Sequence, residues 1–544
     1  SIMKVSIPPP WSRQLSFSVL FLLTALAALA AVALGQDGGF DLKNYHHYNA
    51  WALLAGRADF DVALAQRQTW FNPLLDLHYY LLLEAFGPRW GSALVAATQG
   101  LAFWLVFDII GRVLVVQAPQ LPRTDRLTLA LAVVAVAACG PISYVNLGAS
   151  RGDLSAAILV LASLRSLLAL PACPGRRVPV SGLLAAGLLM GLGCGLKLTV
   201  ACYGLGALLA LLVLDWGPVE QRLRAACCFG LGGGAGLVAA AGPWMLSLWR
   251  RYENPIFPYA NHLFRSPFAP PLSYSEERFR PESWMDALSL PLQFATGGEL
   301  AWEFAFRDPR FALVYLLLVA ALLKALWRLA RSGSVAAPPG PQARASLLPS
   351  AQLLIGFAVA SYICWQQVFC VYRYLAPLEL LAPVLMVALL FSLLQREMLV
   401  LLASAGLFAI AVVGLQLPAV ERLTWSDDIF AVSIPAIDDT EAGVVVFAGD
   451  DATAYLASFL PDRYRLVRIA GNFAAFDDNT GMHDRMRAAI ADSHGPAYFL
   501  KGPYEIDHAA LHHFGLSVVE GSCEEVASRV DGGLALCRLR RDGS

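Results

Sequence analysis

About eleven apolar stretches dominate this chain and dictate its surroundings. They run roughly over 15–35, 91–116, 128–147, 154–170, 181–195, 198–214, 225–246, 311–327, 349–370, 375–394 and 398–417. A helix needs about 20 mostly apolar residues to cross the hydrocarbon core of a bilayer. The composition agrees, at 57% hydrophobic and 15% charged residues, with a mean hydropathy of +0.56; soluble domains are about a quarter charged. The sequence therefore predicts a polytopic α-helical membrane protein with about 11 transmembrane helices. Residues 1–35 have the outline of a secretory signal. Their apolar run is long, and many more spans follow, so we read a retained first helix.

Charge placement predicts the orientation. With the N-terminus in the cytoplasm, the inner connections carry Arg112, Arg123 and Arg126; Arg176 and Arg177; Arg222 and Arg224; Arg328, Arg331 and Arg344; and Arg396. These connections are short, which is where a positive-inside bias counts. The outer side then receives two long loops, 36–90 and 247–310, and the tail 419–544. The expected division is a transmembrane catalytic domain over 1–418 and a soluble periplasmic α/β domain over 419–544. In the tail, "GVVVFAGDD", "YRLVRIAG" and "PAYFLKG" read as short buried strands. "ATAYLASFL" and "HDRMRAAIADS" have helical spacing. Its two cysteines, Cys523 and Cys537, are placed to form a disulfide if the tail lies in an oxidising compartment; two free thiols are the alternative.

The net charge is −1, so no nucleic-acid partner is indicated. Ten cysteines show neither a CxxC pair nor metal-ligand spacing. No GxxxxGK[ST] or GxGxxG loop is present, which leaves nucleotide-driven chemistry without support.

Chemistry-bearing residues gather instead at the outer ends of the spans. "FDLKNYHHYN" places Asp41, Asn44, Tyr45 and His46 just beyond the first span, where a carboxylate meets lipid headgroups and suits general-base duty. Asp59 and Asp61 follow in the same loop. "TWFNPLLDLHYYLL" sets Asn72, Asp76 and His78 in an apolar run that reads as an interfacial helix with its polar groups toward a cavity. "GASRGDLSAA" puts Arg151 and Asp153 at the start of a span. A helix-capping role explains Asp153 equally well, but a charged pair at that depth is costly unless paired or used. Lys197 in "GCGLKLTVA" is a lone lysine between apolar spans, suited to a lipid phosphate or to snorkelling. "CVYRYLAPLELLAP" supplies Arg373, whose planar fork matches phosphate oxygens, beside Tyr374. "RRYENPIFPYANHLF" cannot be a continuous helix because of its prolines.

The ordered set "FNPLL", "SRGD", "GLKLTV", "NPIFPYAN" and "YRYLAP", with Asp41 ahead of it, resembles the GT-C superfamily of integral-membrane glycosyltransferases. That superfamily includes protein O-mannosyltransferases and the lipid A aminoarabinose transferase. The resemblance covers residues 1 to about 418. It implies a glycosyltransferase of class EC 2.4 in the bacterial inner membrane. The donor would be a polyprenyl-phosphate sugar, commonly on undecaprenyl phosphate, and the acceptor the hydroxyl of a glycan, lipid or protein in the periplasm. Transfer would proceed with inversion. By motif position Asp41 would be the base and Asp153 would orient the acceptor. Arg373, Lys197 and Arg151 would hold the donor phosphate, and Asn44, Tyr45, His46, Asn72, His78 and Tyr374 would touch substrate. The first loop has Leu42 and Lys43 after Asp41 rather than an Asp-Glu pair, so the division of labour between Asp41 and Asp153 stays open, with Asp59 and Asp61 as substitutes. No cofactor is expected; a divalent metal remains open, since some relatives use one. Two other readings stand beside this one. A transporter or flippase of a lipid-linked sugar would carry inverted repeats and mid-bilayer polar groups, and a non-catalytic membrane subunit would present the tail to a partner.

Overall fold

The computed structural model describes residues 9–170, 178–332, 350–438 and 440–542. Arg176, Arg177 and Arg344 of the topology argument lie outside that range. Its helices are α1 (Arg13–Leu34), α2 (His47–Leu54), α3 (Leu74–Gln117), α4 (Arg123–Ala138), α5 (Pro141–Asn146), α6 (Asp153–Leu168), α7 (Val180–Leu196), α8 (Ala201–Val213), α9 (Val219–Tyr252), α10 (Asn261–Phe264), α11 (Trp284–Gln293), α12 (Pro309–Ser332), α13 (Ser350–Val368), α14 (Ala376–Leu393), α15 (Glu397–Gly414), α16 (Gly481–Ala491) and α17 (His508–His513). Ten of the eleven apolar stretches each fall on one of them, and 128–147 is divided between α4 and α5. Seven of these helices are long and apolar enough to cross a membrane: α1, α3, α9, α12, α13, α14 and α15. The shorter apolar helices α7 and α8 nearly abut at Lys197, which is why the sequence there reads as almost continuous.

Small residues set the tightest helix packing. Gly187, Gly191 and Gly195 recur every fourth position on α7; the first two face Gly233 and Gly236 of α9, and Gly195 lies against Leu237 and Ala240 of the same helix. A Cβ on Gly191 would overlap the backbone of Gly233. Glycine on this stripe lets two backbones approach where lipid offers no hydrophobic drive to association. The apolar core runs through α3, α6 and α14, whose side chains are mostly buried.

The helix at 74 is longer than the sequence reading allows. It continues to Gln117, but Gly87 at φ 75 and ψ 165 breaks it into two directions. Only glycine takes that backbone readily. The first half, 74–86, is the separately directed segment expected as interfacial. Arg112 is corrected: it lies within α3, buried, and pairs with Asp108 at 2.7 Å rather than sitting in a loop. Asp108 also binds Arg165 at 2.9 Å, so burial of these charges is compensated.

In the tail, β3 (Val444–Phe447), β4 (Arg465–Arg468) and β5 (Ala497–Lys501) are parallel, in the order β4-β3-β5. They are the three buried runs quoted above, and α16 matches the predicted helix. "ATAYLASFL" forms a 3₁₀ helix, Ala454–Phe459. An antiparallel strand, β8 (Ala535–Arg541), extends the sheet beside β5, and Cys537 on it is disulfide-bonded to Cys523. The tail is not a detached unit. Residues 36–37 of the first loop (β1) pair with residues 422–423 (β2). Farther along the loop, Val62 bridges Val467 of β4, and Arg57 donates to the carbonyls of Asp462 and Tyr464, both at 2.7 Å. "NPIFPYAN" anchors the same junction: Phe257 is buried against Tyr252, Trp70 and Phe473.

Candidate active site

Asp41 precedes a π-helical turn, Leu42–His46, closed by the His47 N–H to the Leu42 carbonyl. Such i→i+5 turns are rare and often mark functional sites. Asp37 sets the approach. One of its oxygens accepts the Gly39 N–H at 3.0 Å, and the other accepts the Ser150 N–H at 3.0 Å and the Ser150 hydroxyl at 2.9 Å. This clamps the first loop onto "SRGD". Gly39 leaves room here for the Arg151 guanidinium, which lies 2.9 Å from where a Cβ would sit. Burial alone would raise the Asp37 pKa, yet Arg151, Arg422 and the two backbone N–H groups hold it below the usual range.

Three further segments deliver the cations and the second acid. The 3₁₀ turn Tyr372–Leu375 brings in Arg373, whose guanidinium bonds the Asp41 carboxylate. Arg151 Nη1 stands 3.7 Å from the same carboxylate oxygen. Gly152, at φ 75, turns the chain so that Asp153 opens α6. Lys197, in extended backbone where α7 ends, bonds Asp153 Oδ1 and donates to the Arg151 carbonyl at 3.0 Å. The Tyr374 ring lies 5.7 Å from Lys197 Nζ, within cation–π range. The turn carrying Arg373 is firmly mounted. The Tyr372 hydroxyl donates to Asp308 at 2.5 Å, Arg310 binds Asp308 at 2.6 Å and Glu379 at 3.3 Å, and Glu379 accepts the N–H groups of Ile142 and Ser143.

The five charged residues singled out from the sequence thus converge, and each acid is held by the cations. Burial favours a neutral Asp41, but Arg373 and Arg151 outweigh it and hold the carboxyl well below the ordinary carboxylate range. Three polar atoms at this place are buried with no partner: Asp153 Oδ2, Arg373 Nε and His46 Nε2. Buried polar atoms are nearly always satisfied, so these atoms stay available to a partner from outside the chain. Beside Asp153 and Lys197 a notch with an empty volume of about 210 Å³ opens, its walls formed by Ala156, Ala157, Val200, Tyr203, Ala376 and Pro377.

The chain is similar in structure to ArnT. The match is to the crystal structure of ArnT from Cupriavidus metallidurans bound to undecaprenyl phosphate, with a TM-score of 0.49 and 14% sequence identity, covering 96% of this chain and 97% of that one. No family model and no curated protein matches the sequence.

Other candidates lie elsewhere or serve the scaffold. Asp61 is buried and bidentate to Arg57, at 2.6 and 3.0 Å, and also accepts from Tyr48. Asp59 pairs with Arg251 at the surface. Both are removed as substitutes for Asp41. Asn72 spends its amide on the carbonyls of Gly195 and Ala240, at 2.9 and 3.0 Å, stitching the loop to α7 and α9. Asn44 is buried between Gln66 and Gln68. Among the described residues His78 has no hydrogen-bond or ion-pair partner. Being two residues from Asp76 on a helix, it points about 200° away from it. Tyr45 packs on His46, ring centroids 4.0 Å apart, and stands edge-on to Phe71. What the sequence reading missed is Asp37, whose clamp has no local signal, and the bond from His46 Nδ1 to Asp76 at 2.6 Å. Among the described residues no group of three or more His, Cys, Asp or Glu could hold a metal ion.

Proposed function

We propose that the protein is a membrane glycosyltransferase that moves a sugar from a polyprenyl-phosphate donor to an acceptor hydroxyl at the outer face of a bacterial inner membrane. The observation that carries this reading is the meeting of Arg151, Lys197 and Arg373 with Asp41 and Asp153, leaving polar atoms of Asp153 and Arg373 buried and unpartnered. A phosphate diester entering this cluster takes over the guanidinium of Arg373 and the ammonium of Lys197. Charge-assisted bonds of this kind are the stronger ones available to an anion. The apolar walls beside Lys197 begin α6, α8 and α14, and the first isoprene units of the lipid lie along them. Asp153, released from Lys197, orients the acceptor. The sugar C1–O bond to phosphate breaks as the acceptor oxygen bonds to C1 with inversion, and the lipid phosphate leaves into the same cations. Electrostatic stabilisation of a leaving group by fixed charges in a water-poor site is commonly the largest catalytic term.

The alternation of helices supports this orientation. The site lies where α1 and α7 end and α6 and α14 begin, whereas Arg123 begins α4, Arg222 and Arg224 lie in the first turns of α9, and Arg396 precedes α15. Positive-inside bias puts the latter in the cytoplasm and the site and tail in the periplasm. The test is turnover of purified protein on undecaprenyl-phosphate sugars: release of undecaprenyl phosphate supports a transferase, and sugar-lipid movement across liposomes without release supports a flippase. A reporter fused after about residue 420 should report periplasm, and a cytoplasmic signal overturns the sidedness.

A further inference from the structure

We infer that His46 takes the proton from the attacking hydroxyl and that Asp76 holds it in the productive tautomer; the assignment rests on the transferase reading above. Both side chains are 4% exposed, and they meet through Nδ1 at 2.6 Å. Burial raises the Asp76 pKa while His46 and Lys197 favour its charged form; in that form the carboxylate can only accept a hydrogen bond, so Nδ1 carries the ring proton in the neutral imidazole. Nε2 then presents a lone pair, and it is the ring atom left buried without a partner. An acceptor–imidazole–carboxylate arrangement of this kind is how a His base is oriented on many folds.

The neighbouring acids are poorer bases. Asp41 is engaged by Arg373 and Arg151, and Asp153 by Lys197. The guanidinium groups hold the Asp41 carboxyl well below the ordinary carboxylate range and leave it little affinity for a further proton, and the Lys197 ammonium already occupies Asp153 Oδ1. The charges facing His46 come from every side. Asp41 lies on its own turn and Asp76 on α3; Lys197, at the end of α7, acts on Asp76, and Tyr45, whose ring covers His46, is itself within range of Arg373 and Tyr374. Two carboxylates, Asp41 and Asp76, flank the ring and stabilise the imidazolium that forms as the hydroxyl proton leaves. The step balances: the acceptor O–H gives its proton to Nε2, its oxygen bonds to the sugar C1, and the C1–O electron pair leaves with lipid phosphate. The proton is then lost to water. Asp76 is a positioning residue in this scheme, and Asp41 remains ionised throughout.

The experiment compares wild-type full-length protein with His46→Gln and Asp76→Asn. The donors are undecaprenyl phosphate linked to mannose, glucose or aminoarabinose, and the acceptor is a bacterial envelope fraction. Release of undecaprenyl phosphate is followed against pH, and binding of undecaprenyl phosphate is measured separately. Wild-type turnover should rise with pH as the catalytic base gives up its proton. His46→Gln should lose roughly 10²–10⁴-fold in kcat and flatten that limb while binding the lipid as before. Asp76→Asn should also lose rate and move the limb. Near-normal kcat with an unchanged pH profile in His46→Gln overturns the assignment. Should His46→Gln not purify as a monodisperse protein, Asp76→Asn decides: reduced kcat with the wild-type pH profile marks a merely structural pair and overturns it. A wild-type protein that releases no lipid phosphate overturns the transferase reading itself, whereas active wild-type with unaffected variants overturns the proton assignment alone.

Discussion

Arg373 closes on Asp41 across 332 positions of the sequence, joining the end of the first span to the start of α14. The pair is largely buried, with side-chain exposures of 18% and 13%. Each partner is the other's substitute for solvent, so neither can be removed without leaving a charge that the site must satisfy another way. Arg373→Ala should weaken binding of undecaprenyl phosphate by roughly 10- to 100-fold, since a hydrogen bond to a charged group contributes about 1.5–3 kcal/mol. Arg373→Lys should restore only part of it, because an ammonium lacks the planar fork. Unchanged lipid affinity in both Arg373→Ala and Lys197→Ala would remove the phosphate site.

Asp41→Asn tests the same pair from the other side. In the resting site the carboxylate competes with an incoming phosphate for Arg373 and Arg151. Removing its charge should tighten undecaprenyl phosphate binding several-fold while lowering turnover, because a counter-charge to the developing imidazolium is lost. The two readouts are separable by lipid titration and initial rates. Weaker lipid binding in Asp41→Asn would mean that Asp41 organises the cations rather than competing for them.

The pattern of these residues explains what could be read in the sequence. Asp41, Arg151, Asp153, Lys197 and Arg373 each interrupt or border an apolar run, and the cost of a charge at that depth makes such a position conspicuous. Helices α7 and α8 and the strands β3, β4 and β5 are legible for the complementary reason, as apolar runs of the right length. Pairing is another matter. His46 and Asp76 lie 30 positions apart, and nothing in either stretch announces that a π-helical turn will aim one at the other. Asp59 and Asp61 look alike in "RADFDV", yet Asp61 is buried by Arg57 four residues earlier while Asp59 remains at the surface. Strand β8, "ALCRLRR", alternates apolar and basic residues, and its place beside β5 follows from sheet pairing that no local signal specifies.

Arg57 is predicted to hold the tail to the first loop. It satisfies Asp61 and two tail carbonyls while almost fully buried. Burial raises the Asp61 pKa even against the pull of Arg57, so loss of the arginine leaves a carboxylate that is costly to keep ionised. Breaking one partner of a buried pair costs about 3–5 kcal/mol. Arg57→Ala should lower the thermal midpoint markedly at neutral pH. The deficit should shrink as the pH falls, because protonation removes the stranded charge. A deficit independent of pH would assign the loss to packing instead.

The Cys523–Cys537 disulfide closes a loop of 14 residues between the short strand Glu524–Glu525 and β8, with which it pairs. A cross-link over a loop of about 15 residues restricts the unfolded chain by about 3 kcal/mol. Replacing both cysteines with serine should destabilise the tail by that order, measured by thermal unfolding in detergent. The same replacement should leave lipid binding intact, since neither residue touches the charged cluster. Equal thermal midpoints with and without a reductant would remove the stabilising role.

His47 gives the fold an acid limit. It stands in the first loop, with Nε2 3.1 Å from the Ser458 hydroxyl of the tail and its ring edge-on to Phe430, centroids 4.8 Å apart. Burial disfavours the charged ring and lowers its pKa from 6.5 to about 4. In the unfolded chain the same histidine titrates near 6.5. Between about pH 6.5 and 4 the unfolded state therefore binds more protons than the folded one, and stability falls as the pH is lowered through that window. His47→Gln cannot charge, so its stability should decline less over the same range, although it is expected to start lower at neutral pH through lost packing on Phe430. Thermal midpoints of the two proteins, measured from about pH 7 to pH 4, should converge as the pH falls. Parallel curves would show that His47 stays charged or solvated in the folded protein and contributes nothing to the acid limit.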